Sequence, residues 1–169
     1  MSYSDMNRRT ALLAVLALGG CGFRPLYGGG AESGPGRLFQ SVRIEREAGE
    51  QGFRLYQSLI ERLRPVDGVA PLVLTTATQQ VRTALAIAAA DQITRYNLRL
   101  ITLYTLRRAD TGAIVAEGEV SSIAAYNAIP ASQYATLISE REVLRRAAEE
   151  TADKIVRRLA VTYDPAWGA

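Results

Sequence analysis

The stretch Ile93-Thr-Arg-Tyr-Asn-Leu-Arg-Leu-Ile-Thr-Leu-Tyr-Thr-Leu-Arg-Arg108 decides the fold of this chain. Within it, one set of alternate residues is apolar or threonine as far as Leu106, and the other set contains three arginines. An alternation with period two predicts a β-strand with two different faces. The more apolar face is expected to be covered by helices. It consists of Tyr96, Leu98, Leu100, Thr102, Tyr104 and Leu106.

The opposite face of this strand is basic at its ends and apolar in its middle. A face that meets only water rarely has two large aliphatic residues at its centre. Contact with another protein or with an amphipathic ligand would explain the pattern. A small exposed apolar spot, which is common on proteins, is the alternative. The candidate contact residues are Arg95, Arg99, Ile101, Leu103 and Arg107.

Two further strands are predicted next to the central one. Asp110-Thr-Gly112 marks a turn, and residues 113–125 return from it, which is typical of a hairpin. Upstream, residues 72–82 are rich in threonine and β-branched residues and predict another strand. Residues 84–90 are rich in alanine and leave two conformations open, a helical turn or a continued strand. A reversal is expected at Asp91-Gln92.

Two amphipathic helices accompany these strands. Residues 41–47 alternate and predict a short first strand, and residues 51–64 have the apolar spacing of a helix. A long final helix is predicted over 132–161. Ser139 and Glu142 could form a capping box, which leaves a later start of this helix open. The apolar positions of the first helix are Phe53, Tyr56, Leu59, Ile60 and Leu63.

The predicted order of elements is β-α-β-β-β-α. Two helices can cover only one face of a four-stranded sheet. We therefore predict an α+β fold, a two-layer sandwich in which a four-stranded, mostly antiparallel sheet carries both helices on one face. The folded domain is expected over residues 39–163, followed by an irregular tail at residues 164–169.

The N-terminal residues have the organisation of a bacterial lipoprotein signal peptide. Two arginines precede a short apolar run, which ends at Gly19-Gly20 and is followed by Cys21, the only cysteine. The run is too short to span a bilayer. Residues 1–20 are therefore expected to be removed, with Cys21 lipidated and residues 21–38 forming a flexible tether. The start at Met1 or Met6, and general or twin-arginine export, stay open.

The composition argues against catalysis. The chain has no histidine, which excludes a histidine-based triad and any site built from histidine and cysteine ligands. The triple glycine Gly28–Gly30 does not lie between a strand and a helix, as a phosphate-binding loop would. We expect a protein that is not an enzyme, with no cofactor, no metal and no nucleic-acid partner. The formal net charge is only +3, and Lys154 is the single lysine among 20 basic residues.

Several short segments resemble the lipopolysaccharide-assembly lipoprotein family, LptE. The most specific of them is Cys21-Gly-Phe-Arg-Pro-Leu-Tyr-Gly28. The sequence Arg95-Tyr-Asn-Leu98 opens the central strand, and Tyr126-Asn127 precedes Pro130 and Tyr134-Ala135. Their order along the chain strengthens the resemblance.

This resemblance implies an outer-membrane lipoprotein that faces the periplasm. Such proteins partner and plug the β-barrel LptD and assist lipopolysaccharide transport and insertion into the outer leaflet. Gly22, in place of the aspartate that retains lipoproteins at the inner membrane, fits this location. The arginines would suit phosphorylated lipid A. A structural lipoprotein that tethers another envelope complex is the alternative.

Overall fold

The computed structural model describes residues 34–65, 70–87, 93–129 and 131–168. The predicted signal peptide, Cys21 and the reversal at Asp91-Gln92 lie outside the described residues. The elements in chain order are α1 (Gly34–Gln40), β1 (Val42–Ile44), α2 (Glu50–Leu63), β2 (Leu72–Ile87), β3 (Ile93–Arg108), β4 (Ile114–Asn127), α3 (Gln133–Thr162) and a 3₁₀ turn (Pro165–Gly168).

The four strands form one sheet in the order β1-β2-β3-β4. The β1–β2 pair is parallel and the other two pairs are antiparallel, so the prediction of a mostly antiparallel sheet in an α+β fold is confirmed. The central strand has the predicted bounds. The first strand is shorter than predicted, and the ambiguous segment from residue 84 continues as strand as far as Ile87.

Helices α2 and α3 pack side by side on the same face of the sheet. Helix α2 contacts β1 and β2, whereas α3 lies across β3 and β4. The covered face of β3 carries the predicted residues, with Leu98, Leu100 and Leu106 fully buried. Small residues of α3, including Ala148 and Ala152, let the helix backbone approach the strands closely.

Helix α3 begins at the earlier of its two candidate starts. The Ser132 hydroxyl accepts a hydrogen bond from the backbone N–H of Ala135 at 3.3 Å and caps the helix. Ser139 instead donates to the Ala135 carbonyl inside the helix, so the later capping box does not form the start. In the described part of the chain, no helix is both long enough and apolar enough to cross a membrane.

The buried face of α2 differs from the predicted one. Phe53 is 46% exposed, and Leu55 is fully buried in its place. Gly52 explains the rotation, because a Cβ atom there would lie only 2.8 Å from the Cβ of Glu47. Because residue 52 has no side chain, the first turn of α2 packs directly against Glu47. In this orientation Leu55 and Leu59 of α2 are buried.

Both ends of the predicted domain carry additional structure. Helix α1 occupies part of the segment that was expected to be a flexible tether, and its Leu38 is fully buried in the core. The tail, expected to be irregular, contains the 3₁₀ turn. Trp167 in that turn is buried, and its ring meets that of Tyr163 edge to face. One apolar residue in each segment supplies the burial that holds it against the domain.

Candidate functional site

The sheet face opposite the helices is the candidate functional site, and we call it the open face. In β3 it consists of the odd-numbered residues, and the register adds the residues of β2 and β4 that lie directly beside them. All five residues predicted from the sequence lie on this face, because they alternate with the buried positions of the same strand. They are Arg95, Arg99, Ile101, Leu103 and Arg107.

The centre of the open face is apolar and accessible. Leu103 is 56% exposed, and Ile101 beside it is half-buried. Ala77 of β2 lies directly opposite Leu103. Ile123 of β4, 49% exposed, lies opposite Arg99, so the apolar surface extends diagonally from β3 onto the neighbouring strand.

A shallow cavity of about 310 Å³ adjoins this centre. Apolar side chains line it together with one guanidinium, one amide and one hydroxyl group. Such a mixture suits a ligand or a protein segment that offers apolar and polar groups side by side. The lining residues are Val81, Thr83, Asn97, Arg99, Ile101 and Ile123.

The three arginines of the open face are spread along it. Arg95 and Arg107 are roughly 40 Å apart along β3, at about 3.3 Å per residue. Arg99 alone lines the cavity. The structure therefore does not bring the three guanidinium groups into one pocket. They flank the apolar centre on both sides, as their positions in the sequence suggested.

Two carboxylates interrupt the basic character of the open face. The register places Glu117 opposite Thr105 and Glu119 opposite Leu103, and both glutamates are exposed. A partner of this face consequently meets positive charge near the strand ends and negative charge along the β4 side. A uniformly anionic surface would fit it poorly.

On the helix-covered face of the sheet, a polar and aromatic cluster lies near the end of β2 and the start of β3. The Arg82 guanidinium lies 5.3 Å from the centre of the Tyr96 ring, which stacks on Tyr126 at 5.4 Å. Arg82 also pairs with Glu140 of α3, with Nη1 and Oε1 3.6 Å apart. Burial raises the pKa of the Tyr126 phenol, so this group stays neutral at physiological pH. We call these four residues the Arg82 cluster.

Some residues of the open face were not among the sequence candidates. Val81 and Thr83 of β2 and Ile123 of β4 line the cavity, yet only β3 residues were chosen from the sequence. Asn97 of β3 lines it too and was not among the candidates. The signal that could have found Val81 and Ile123 is strand register. Counting back from the turn at Asp110–Gly112 comes within one residue of the pair. It puts Ser122 opposite Arg99, and the register shift between Leu106 and Arg107 brings Ile123 into that position instead.

Solved structures with the same fold come from several bacteria. A crystal structure of a Caulobacter crescentus CB15 protein matches with a TM-score of 0.65 and 24% identity, covering 76% of this chain and 94% of the other. Rare lipoprotein B of Shewanella oneidensis matches with a TM-score of 0.57 and 19% identity, covering 72% and 93%. A comparison with curated protein sequences finds no significant match.

A minor lipoprotein of Acinetobacter baumannii has the same architecture, with a TM-score of 0.53 and 15% identity over 71% of this chain and 88% of the other. At these identities the likeness establishes the fold alone. The family assignment comes from the sequence itself. Residues 39–159, which include β1 to β4, α2 and most of α3, match the profile of the lipopolysaccharide-assembly family. The chain belongs to the LptE family.

Proposed function

We propose that this protein is lipid-anchored through Cys21 at the periplasmic side of the outer membrane. There it partners and plugs the β-barrel LptD and assists the transport and insertion of lipopolysaccharide. Membership of the lipopolysaccharide-assembly family supports the process. The observation that carries the partner is the open face, where no described helix covers the sheet around the exposed Leu103.

The open face has the composition of a protein interface. Its centre holds aliphatic side chains, and its ends hold arginine, a residue enriched where proteins meet. Burial of the exposed parts of Leu103 and Ile123 contributes about 25 cal/mol for each Å² of apolar surface removed from water. A barrel wall that encloses the sheet would cover this surface without displacing α2 or α3, because both helices lie on the other face.

The arginines of the open face suit a phosphorylated ligand as well. A guanidinium group can donate two parallel hydrogen bonds to one phosphate, and it keeps its charge at any physiological pH. Arg99 lies beside apolar groups in the cavity, which places a cation next to a surface for hydrocarbon. This neighbourhood matches lipid A, in which phosphate groups lie close to acyl chains.

Affinity capture tests the proposed partner. The tagged full-length protein is expressed in its own host and purified from detergent-solubilised outer membrane. We expect the LptD barrel to be recovered with it, and depletion of the protein to reduce surface lipopolysaccharide. Recovery of a different envelope complex, with surface lipopolysaccharide and barrel assembly unchanged, would favour the tethering alternative instead.

Replacement of Cys21 by alanine should abolish lipidation. The lipid is attached to the cysteine sulfur, and each buried CH₂ group contributes about 0.8 kcal/mol to membrane binding, so loss of the acyl chains removes the anchor. We expect no incorporation of radiolabelled palmitate into the variant. A Gly22→Ala variant, which keeps the thiol, is the control. Palmitate labelling that survives Cys21→Ala would refute the anchor assignment.

Combined replacement of Arg95, Arg99 and Arg107 by alanine should weaken lipopolysaccharide binding more at low salt than at high salt. Exposed charges act over a Debye length of about 10 Å at 0.1 M salt and about 3 Å at 1 M, so their contribution fades as salt rises. Binding to immobilised lipopolysaccharide is measured at both salt concentrations. Replacement of Arg141, Arg146 and Arg157 on α3 provides a control with the same loss of charge. A salt dependence equal to that of the control would remove phosphate recognition by the open face.

A further inference from the structure

The outer edge of β2 is the side that faces away from β3. Its backbone groups have hydrogen-bond partners among the described residues only in the first half of the strand. Near its start, the backbone N–H of Leu72 donates to the Ser41 carbonyl at 3.2 Å, and the Leu74 carbonyl accepts from Glu45 at 2.9 Å. The Glu47 carboxylate then takes the place of a strand, because it accepts from the backbone N–H of Thr78 at 2.5 Å. It also accepts from the hydroxyl groups of Thr76 and Thr78.

Beyond Thr78 the outward backbone groups of β2 meet no other part of the described chain. The even-numbered residues of this strand direct their N–H and C=O groups away from β3, as the bonds at Leu72, Leu74 and Thr78 establish. Gln80 and Arg82 follow in the same alternation. Each offers one donor and one acceptor on the side opposite β3, where the described sheet has no fifth strand.

The other edge of the sheet is treated differently. Lys154 and Arg158 reach from α3 to the outward carbonyl groups of β4, and their donor atoms lie 2.6 Å from the oxygens of Ser121 and Glu119. Long cationic side chains in these positions prevent another strand from pairing there. The β4 edge is thus closed at its middle, whereas the β2 edge from Gln79 to Leu85 has no such cover among the described residues.

The open part of the β2 edge is accessible and held in place. Arg82, Thr83, Ala84 and Leu85 are exposed. From Gln79 to Ala84 the inner side of β2 pairs with β3 in a continuous register, and the register shifts beyond Ala84. The Arg82 cluster ties the same region to α3. A strand that adds here would therefore find backbone groups already aligned, which reduces the entropy lost on binding.

We propose that the β2 edge between Gln79 and Leu85 accepts an extended segment of the barrel partner as a fifth strand. This inference rests on the proposed function, because it assigns a second contact to the same partner. The neighbouring side chains define the segment that fits. It carries an apolar residue beside Val81 on the open-face side, and an acidic or amide residue beside Arg82 on the other.

A proline at residue 80 tests the proposal. Gln80→Pro removes an N–H group that points outward and leaves the bonds to β3 intact, a placement that edge strands tolerate. Gln80→Thr is the matched control, because it changes the side chain and keeps the N–H. Each full-length tagged variant is used to capture the barrel from detergent-solubilised outer membrane. We expect at least a tenfold loss of capture for Gln80→Pro and capture close to wild type for Gln80→Thr.

Hydrogen exchange on the wild-type complex gives a second measurement that does not depend on how the proline variant folds. The amide protons of Gln80 and Arg82 should exchange rapidly in the isolated protein and slowly in the complex. Capture of the barrel with both amides unprotected would overturn the fifth strand while leaving the proposed function intact. Failure of the wild-type protein to capture any barrel would overturn both. Protection that grows with concentration of the isolated protein would assign the edge to a second copy of this chain and overturn the proposal.

Discussion

Replacement of Leu100 by alanine should lower the free energy of unfolding by about 2–5 kcal/mol, a large fraction of the roughly 5–15 kcal/mol that stabilises a typical domain. Leu100 is fully buried between the sheet and the helices. Truncation removes apolar contacts and leaves a cavity that neighbouring side chains can only partly fill. Urea unfolding, followed by circular dichroism, measures the change in the protein expressed without residues 1–20.

Leu103→Ala is the matched control for this prediction. It makes the same chemical change in the same strand, three positions along and on the open face. Because Leu103 is exposed, we expect a loss of about 1 kcal/mol or less, from β-propensity alone. An equal loss of stability in the two variants would mean that the open face is buried in the isolated protein, and the assignment of the two faces would then be wrong.

Replacement of Leu103 by lysine should weaken capture of the proposed barrel partner about a hundredfold while leaving the domain folded. The register places residue 103 beside Glu119, so the new ammonium group has an acidic neighbour in the free protein. At the centre of an interface the same group would lose its water. We estimate a cost of about 3 kcal/mol for this desolvation, which corresponds to about a hundredfold in affinity. Capture from detergent-solubilised outer membrane, quantified against wild type, measures it.

Leu103→Met separates the loss of apolar contact from the general effect of a substitution at this position. Methionine keeps the volume and the apolar character of leucine, so capture should stay within a few-fold of wild type. Thermal unfolding of both variants verifies that the domain is intact. If the lysine variant is folded and captures the barrel as well as wild type does, the centre of the open face is not the contact surface.

The architecture of the sheet could be predicted from the sequence because its signals are local. The alternation in β3 gives both faces of the central strand, and the turn at Asp110–Gly112 fixes the hairpin that follows. The long apolar stripe of α3 shows which side of that helix is buried. Each of these patterns is read within one element or across one short turn, without knowledge of tertiary contacts.

The features that escaped prediction depend on contacts between distant residues. Leu38 lies in a segment whose composition suggests a linker, and only the packed core shows that it is buried. Leu55 replaces Phe53 inside because Gly52 lies against Glu47, a relation that no helical period contains. Open-face residues such as Ile123 are defined by register across strands. Likewise, the described residues leave the second half of the β2 edge without a neighbouring strand because β1 ends at Ile44.

The single lysine of the chain can report whether the β4 edge is covered. Lys154 donates to the Ser121 carbonyl and pairs with Glu150, so its amine is occupied while this edge stays covered. An amine-directed reagent has no other lysine side chain to modify in this arginine-rich protein. In the purified protein, a mass increment on the peptide that contains Lys154 would thus report the opening of this strand edge without any engineered label.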